Sequence, residues 1–173
     1  AAAVLELAID ADEDYLPAYV ALIPLWIDSG QLDVLERQLE RATARHPDFA
    51  AGWYGLAFAY RSQGRHAIAV LAYRTYIALR PADPAPWYGY AMSLLRTDDR
   101  ERAREALRRY LQLEHDPAMA GFVDQARHQL AILDGTAPDP ARALADAGRA
   151  IGAALHLHEL PADLSTFQAL LGR

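Results

Sequence analysis

Trp53-Tyr54-Gly55 returns as Trp87-Tyr88-Gly89, 34 residues later, and the surrounding residues return with it. Ala57 becomes Ala91, Ala69 becomes Ala103, Tyr76 becomes Tyr110 and Leu79 becomes Leu113. Stepping back by the same interval, Gly64 lands on Gly30, Pro81 on Pro47 and Trp53 on Tyr19. Aromatics, small residues, a turn glycine and a terminal proline therefore share one period. A period of this length is the mark of a stacked array, in which each unit buries its apolar face against its neighbours. The expectation is an all-α solenoid offering a long surface, a form better suited to holding something than to catalysis.

Working outward, helix-period apolar spacing dominates, and no alternating valine- or isoleucine-rich run marks a strand. Residues 1–15 read as the second helix of a truncated unit, with Leu5, Ala8 and Ile9 as its buried stripe. The first complete unit is 16–49. Pro17 suits the first turn of its opening helix, where a missing N–H costs nothing. Pro24 stands inside the same helix, where proline forfeits a hydrogen bond and usually kinks the rod. Gly30 supplies the turn, and Leu32, Leu35 and Leu39 give the inner face of the next helix. In the unit 50–83, one helix over about 50–62 breaks at Gly64, and another over 65–80 stops before Pro81. The unit 84–117 repeats this, with Asp98-Asp99 at the turn and Pro117 as its end. Residues 118–173 form a degenerate unit and capping helices. Phe122, Ala126, Leu130 and Leu133 make one stripe, and Asp139 with Pro140 starts a helix running to about His158. Gly148 and Gly152 give that helix a small face, and a short helix over 163–171 caps the array or occupies its groove.

The Trp-Tyr-Gly-x-Ala core, the turn glycine, the small residue at Ala69 or Ala103 and the terminal Pro47 or Pro81 resemble the tetratricopeptide repeat. The resemblance spans 16–117 and is closest over 50–117. It implies a right-handed superhelical solenoid of antiparallel helix pairs, whose first helices line a concave groove for an extended peptide or a helix. Carried over by position, that groove shows Val20, Ile27, Tyr54, Phe58, Arg61, Ser62, Tyr88, Met92, Leu95 and Arg96. Tyr54, Phe58 and Tyr88 also admit a second reading, as core between successive first helices. Trp53 and Trp87 are expected in the core. Tyr76 and Tyr110 depart from the family pattern, which has alanine there, and this implies second helices pushed apart locally. The family's carboxylate-clamping members use lysine and asparagine in the groove, and this chain has neither. Arginine presents a different hydrogen-bonding geometry, so no such clamp is expected.

All 17 basic residues are arginine, and the absence of both lysine and asparagine points to GC-rich, bacterial coding. No cysteine is present, which removes disulfide and thiolate chemistry. Residues 1–36 carry eight acids and no base, whereas 37–117 carry nine acids and thirteen arginines. Such segregation can steer a partner or order copies head to tail. No apolar run is long enough to span a bilayer, and no signal peptide is visible. The chain opens without methionine inside an apparent helix, so it reads as a piece of a longer protein, and the compartment stays open.

Other signals are weak. His156 and His158 are two apart and point different ways on a helix, whereas zinc needs three or four converging ligands. The arginine run 100–109 is interrupted by Glu101 and Glu105, so nucleic acid is not expected as a partner. No phosphate loop, dinucleotide fingerprint, metalloprotease pair or nucleophile elbow occurs. No catalytic residue, cofactor or metal is assigned. The leading expectation is a protein-interaction module whose groove takes an apolar peptide or amphipathic helix, with Arg61 and Arg96 meeting acids at the rim. The alternatives are a regulatory or substrate-docking arm of a larger enzyme, such as a bacterial transferase, and a self-assembling scaffold. Three such repeats also resemble bacterial secretion chaperones, although the half-unit at 1–11 is not part of that pattern.

Overall fold

The computed structural model describes residues 2–154. Its helices are α1 (Ala2–Ala11), α2 (Leu16–Asp28), α3 (Leu32–Arg45), α4 (Ala50–Ser62), α5 (His66–Leu79), α6 (Ala85–Arg96) and α7 (Arg100–Leu113). A single 3-10 turn (Pro117–Met119) leads into α8 (Ala120–Leu133), and α9 (Pro140–Ala154) follows. No strand occurs among the described residues. The chain divides into two compact units, residues 1–133 and residues 134–173.

The first unit is a solenoid of helix pairs. Its turns show how a 34-residue period becomes a repeated bend. Gly30 (φ 72°), Gly64 (φ 76°) and Asp98 (φ 60°) occupy equivalent places in the left-handed region. Glycine enters that region freely, and aspartate is among the few side chains that tolerate it. The residue after each donates its N–H back across the helix end: Gln31 to the Trp26 carbonyl (2.8 Å), Arg65 to Tyr60 (2.8 Å) and Asp99 to Leu94 (2.9 Å). These bonds satisfy carbonyls that the helix leaves open. The Asp99 carboxylate then caps α7, accepting from the Arg102 N–H at 3.1 Å.

Successive first helices touch, α2 with α4 and α4 with α6, whereas the second helices α3, α5 and α7 make no comparable contact. The first helices therefore form the inner layer and the second helices the outer one. The core lies between the layers, built from Tyr19, Leu22 and Trp26 of α2, Leu35 and Leu39 of α3, Leu56 of α4, Leu94 of α6 and Leu107 of α7. Burying one such side chain is worth about 1.5–3 kcal/mol. Ile9 joins this core and Leu5 and Ala8 pack against it, as expected of α1. Helix α2 runs through Pro24 without interruption, with the proline on its exposed side. The core tryptophan is Trp26, 2% exposed, whose indole N–H reaches Glu6 at 3.3 Å. Trp53 and Trp87, expected inside, pack against the core while remaining only partly buried. Trp53 donates to the Pro47 carbonyl at 2.9 Å, a short link between a helix and the loop before it.

The recurrence of glycine at 55 and 89 has a packing cause. A Cβ on Gly55 would lie 2.5 Å from Leu39 Cδ1, and one on Gly89 would lie 2.6 Å from Tyr73 Cζ and nearer still to the hydroxyl. Leu39 and Tyr73 are themselves 34 residues apart, so each glycine admits the same position of the preceding second helix.

Two acids of the opening segment are engaged within the chain. Glu13 and Asp14, in the turn between α1 and α2, face the end of α3. Arg45 bonds Glu13 Oε2 at 2.8 Å, Asp14 Oδ1 at 3.0 Å and the Glu13 carbonyl at 2.7 Å. Arg41 also pairs with Glu13, and His46 Nε2 lies 2.9 Å from Asp14. The hydrogen bond from His46, with help from Arg45, holds the Asp14 carboxyl below its ordinary range. Farther along, Arg65 pairs with Glu36 at 2.6 Å.

In the second unit, the Asp139 carboxylate caps α9, accepting from the N–H groups of Ala141 (3.1 Å) and Arg142 (3.2 Å). The expected extension to His158, the His156/His158 pair, the short helix at 163–171 and its capping or plugging role lie outside the described residues.

Two outcomes are expected. Gly89→Ala overpacks against Tyr73 and should cost about 1–3 kcal/mol in urea unfolding followed by circular dichroism. Gly121→Ala, whose Cβ meets nothing within 4 Å, should gain up to ~1 kcal/mol. An unmoved midpoint for Gly89→Ala would contradict the close approach. The second outcome concerns His66, which opens α5. Burial, then the charges of Arg96 and Arg61, hold its pKa below 6.5, and its Nδ1 is buried without a partner. As pH falls through 6.5 the unfolded imidazole takes up a proton first, so the native state loses stability in that window. His66→Gln should flatten this part of the melting-temperature profile; an unchanged slope would refute the assignment.

Candidate functional site

The inner layer opens into a concavity of about 500 Å³ between α4, α6 and the approach to α8. Its walls are aromatic. Tyr54 and Phe58 come from α4, Tyr88 from α6, Tyr73 from α5, Tyr110 from α7 and Phe122 from α8. The rings meet in an edge-and-tilt array: Tyr54 to Tyr73 at 6.4 Å, Tyr54 to Tyr76 at 5.3 Å, Tyr88 to Tyr110 at 5.5 Å and Tyr88 to Phe122 at 5.3 Å. Each such pair adds about 0.5–1.5 kcal/mol beyond the area it buries, so the walls are held in place before anything binds.

The tyrosines that break the repeat pattern build this array. Tyr54–Tyr76 and Tyr88–Tyr110 are the same pair one period apart, both inclined at 52°. The rings turn inward on the first helices, and α4 with α5, and α6 with α7, stay packed against each other. The Tyr76 hydroxyl donates to the Asp83 carboxylate, and the Tyr88 hydroxyl donates to Gln125 Oε1 at 2.7 Å. Burial raises the pKa of Tyr54, Tyr73, Tyr88 and Tyr110 above the ordinary 10. The phenols therefore stay neutral, each an apolar ring with one polar tip.

The charges are divided between the two ends. Arg61 stands at the α4 end, its guanidinium 5.5 Å from the Phe58 ring centroid and its Nε buried without a hydrogen-bond partner. Glu114 and Asp116 stand at the α8 end. One Asp116 oxygen accepts from the Ala118 N–H at 2.9 Å, and Glu114 accepts from the Asp116 N–H at 2.9 Å. Apolar walls between a cation and two carboxylates suit binding by shape and charge. Nothing in the lining is an activated nucleophile, and no group of three or more potential metal ligands occurs among the described residues. No helix among them is long and apolar enough to cross a membrane.

Of the ten residues expected in the groove, Tyr54, Phe58, Arg61 and Tyr88 come together here. The other six stand elsewhere. Val20 is 49% exposed on α2, Ile27, Met92 and Leu95 pack partly buried against the core, and Ser62 and Arg96 are exposed at helix ends. Sequence reasoning missed Tyr73, Tyr110, Met119 and Phe122. Tyr110 had a signal, since it interrupts the alanine pattern. Phe122 had a misleading one: it continues the stripe of Ala126, Leu130 and Leu133, yet is 47% exposed and lines the concavity.

No curated protein sequence matches the chain. The fold is shared with solved structures at low identity. The type III secretion chaperone SycD of Yersinia enterocolitica, in complex with a peptide of the translocator YopD, is 15% identical with a TM-score of 0.65, covering 71% of this chain and 95% of its own. MamA is 17% identical with a TM-score of 0.68, covering 78% of this chain and 76% of that one. YrrB, described as a TPR protein with an unusual peptide-binding site, is 16% identical with a TM-score of 0.66, covering 77% and 66%. The family model for the tetratricopeptide repeat matches residues 27–84 and 59–120, together more than half of the sequence. The chain belongs to the tetratricopeptide repeat family.

Proposed function

We propose that the chain is a protein-interaction module whose concave face takes an apolar segment of a partner, either an extended peptide or one face of an amphipathic helix. The three units 16–49, 50–83 and 84–117 make up the scaffold, and residues 118–133 complete the wall. The observation that carries this reading is the ring-lined concavity itself. Tyr54, Phe58, Tyr88, Tyr110 and Phe122 line about 500 Å³ on the inner layer, and Phe122 stays 47% exposed with no partner covering its outer side. Rigid aromatic walls with polar tips cost little ordering entropy on binding and favour aliphatic or aromatic anchors. Two of the similar folds are described with a peptide or a peptide-binding site, which supports the same use of this face.

Charge refines the partner. Arg61 offers a guanidinium whose partly desolvated position strengthens attraction for a carboxylate. Glu114 and Asp116 repel an acid at the opposite end. The preferred segment carries its acidic residue toward the α4 end and apolar anchors in the middle.

Selection from a random peptide display library tests this. The enriched sequences should combine aliphatic or aromatic residues with a flanking acid. In calorimetry, Phe122→Ala should weaken them by about tenfold, and Arg61→Glu should weaken most those with the acid, in line with about 1.4 kcal/mol for each factor of ten. Selected peptides that bind both variants as well as the parent would place recognition away from this face.

A further inference from the structure

The groove is asymmetric in charge. Of the side chains that line the concavity, only Arg61, Glu114 and Asp116 carry a full charge, since the tyrosines stay neutral. Burial raises every phenol in the wall. Beyond burial, the charge of Arg61 lowers Tyr73 and Tyr88, whereas that of Glu114 raises Tyr110. The rim potential therefore changes sign between Tyr88 and Tyr110, whose ring centroids are 5.5 Å apart. Asp83 also bears on Tyr54, but it accepts from the Tyr76 hydroxyl and the Ala85 N–H and does not line the concavity.

At the α8 end the carboxylates have bonding capacity to spare. One oxygen of Glu114 accepts from the Asp116 N–H and one of Asp116 from the Ala118 N–H, both at 2.9 Å. The second bond closes the 3-10 turn, so the positive end of the approach to α8 is met within the loop. The other oxygen of each carboxylate is bonded to no other described residue. Among the arginines of α7 and α8, Arg102, Arg104 and Arg127 pair instead with Asp99, Glu101 and Asp124. His115, between the two acids in sequence, is exposed and does not line the concavity. Phe122 lines the same end, crossed with Tyr88 at 5.3 Å and left 47% exposed. An aliphatic anchor laid on that ring would set both carboxylates against apolar surface, which costs free energy. A lysine or arginine covers the ring with its methylene stem and brings its charge to the acids, and the aromatic face itself attracts a cation. We propose that the α8 end of the groove receives a basic side chain of the bound segment, its stem on Phe122 and its charge at Glu114 and Asp116. With the segment's acid at Arg61, two contacts of opposite sign fix the direction in which it lies. The proposal rests on the groove as the binding face.

Peptides selected by display on the whole chain test it, in calorimetry at low and high salt. They should carry lysine or arginine on the side away from the acid. Replacing that residue with norleucine or citrulline should weaken binding about tenfold, and by less at high salt. Equal gains from lysine and arginine mark recognition of charge; a larger gain from arginine assigns more of the contact to the ring face. In the double variant Glu114→Gln/Asp116→Asn each new amide oxygen can still accept its backbone N–H, so the melting temperature should hold. The difference between basic and neutral peptides should then shrink below about twofold. Phe122→Leu, which keeps apolar cover without a ring, should reduce the preference for the base by a smaller factor. Selected peptides without a basic residue, or a norleucine peptide that binds as tightly as the lysine one, overturn the proposal. The groove reading then still stands if Phe122→Ala weakens those peptides. A preference for the base that survives Glu114→Gln/Asp116→Asn places the base on another surface and overturns the proposal as well. If Phe122→Ala and Arg61→Glu bind every selected peptide as tightly as the parent does, the groove reading fails and this proposal falls with it.

Discussion

The close approach of each first helix to the second helix before it is the constraint on which the solenoid rests. Gly55 lies against Leu39 and Gly89 against Tyr73, at distances that leave no room for a Cβ. In a linear array each unit is stabilised only by its neighbours. A contact that sets the spacing of two units therefore sets the position of everything either unit carries. The glycines cost backbone entropy inside their helices, roughly 0.5–1 kcal/mol each relative to alanine. The packing they admit outweighs that cost, because Leu39 is fully buried and Tyr73 nearly so.

The same approach shapes the groove. Gly89 lets the Tyr73 ring cross from α5 into the space below α6, where it meets Tyr54 and forms part of the wall. A leucine occupies this position in the neighbouring units, at Leu39 and Leu107. The middle unit alone sends a phenol through the layer. Tyr76 and Tyr110 then fill the remaining width by leaning on Tyr54 and Tyr88. A concavity that a smaller residue would leave wide becomes a narrow, ring-lined one. The substitutions that depart from the repeat pattern are those that give this member its own surface.

The fold was legible because its signals are periodic. The Trp-Tyr-Gly core, the glycines at 30 and 64 and the prolines at 47 and 81 each fix a local conformation, and their common interval fixes the stacking. Asp98 shows why the pattern survives an exception, since the backbone adopts the glycine conformation at a residue that tolerates it. The concavity was legible in part. A rule of position places first-helix residues on the concave face, and of those it names Tyr54, Phe58, Arg61 and Tyr88 line the concavity. It is blind to a second-helix side chain that passes between first helices, which is what Tyr73 does. It also spreads the groove evenly along the array, whereas the concavity is closed at one end by α8. Val20 and Ile27 of α2 do not line that concavity, whereas Phe122, at the head of the α8 stripe, does. Charge was legible only as a count, which did not show that Glu13 and Asp14 are held by Arg41, Arg45 and His46 of the same chain.

That internal pairing changes what the remaining charges mean. Surface ion pairs contribute little energy one by one, but a network at a chain reversal fixes the angle at which α1 and α2 enter the array. Glu13 and Asp14 are engaged there, while Asp10, Asp12, Asp28 and Asp33 of the same segment are exposed. Farther along, Arg61 stands half-buried beside the groove, and Arg37 and Arg74 are exposed on the outer helices α3 and α5. Each stands next to exposed apolar surface, at Phe58 and Phe122 in one case and at Leu71 and Ile68 in the other. Apolar surface supplies the driving force for association and says little about which partner to choose, whereas a nearby charge supplies the choice. Tyr73 and Leu71, two residues apart on α5, point to opposite sides of that helix. One helix thus carries a wall of the groove on its inner side and a bare leucine on its outer side, and the buried ring between the layers keeps the two surfaces separate.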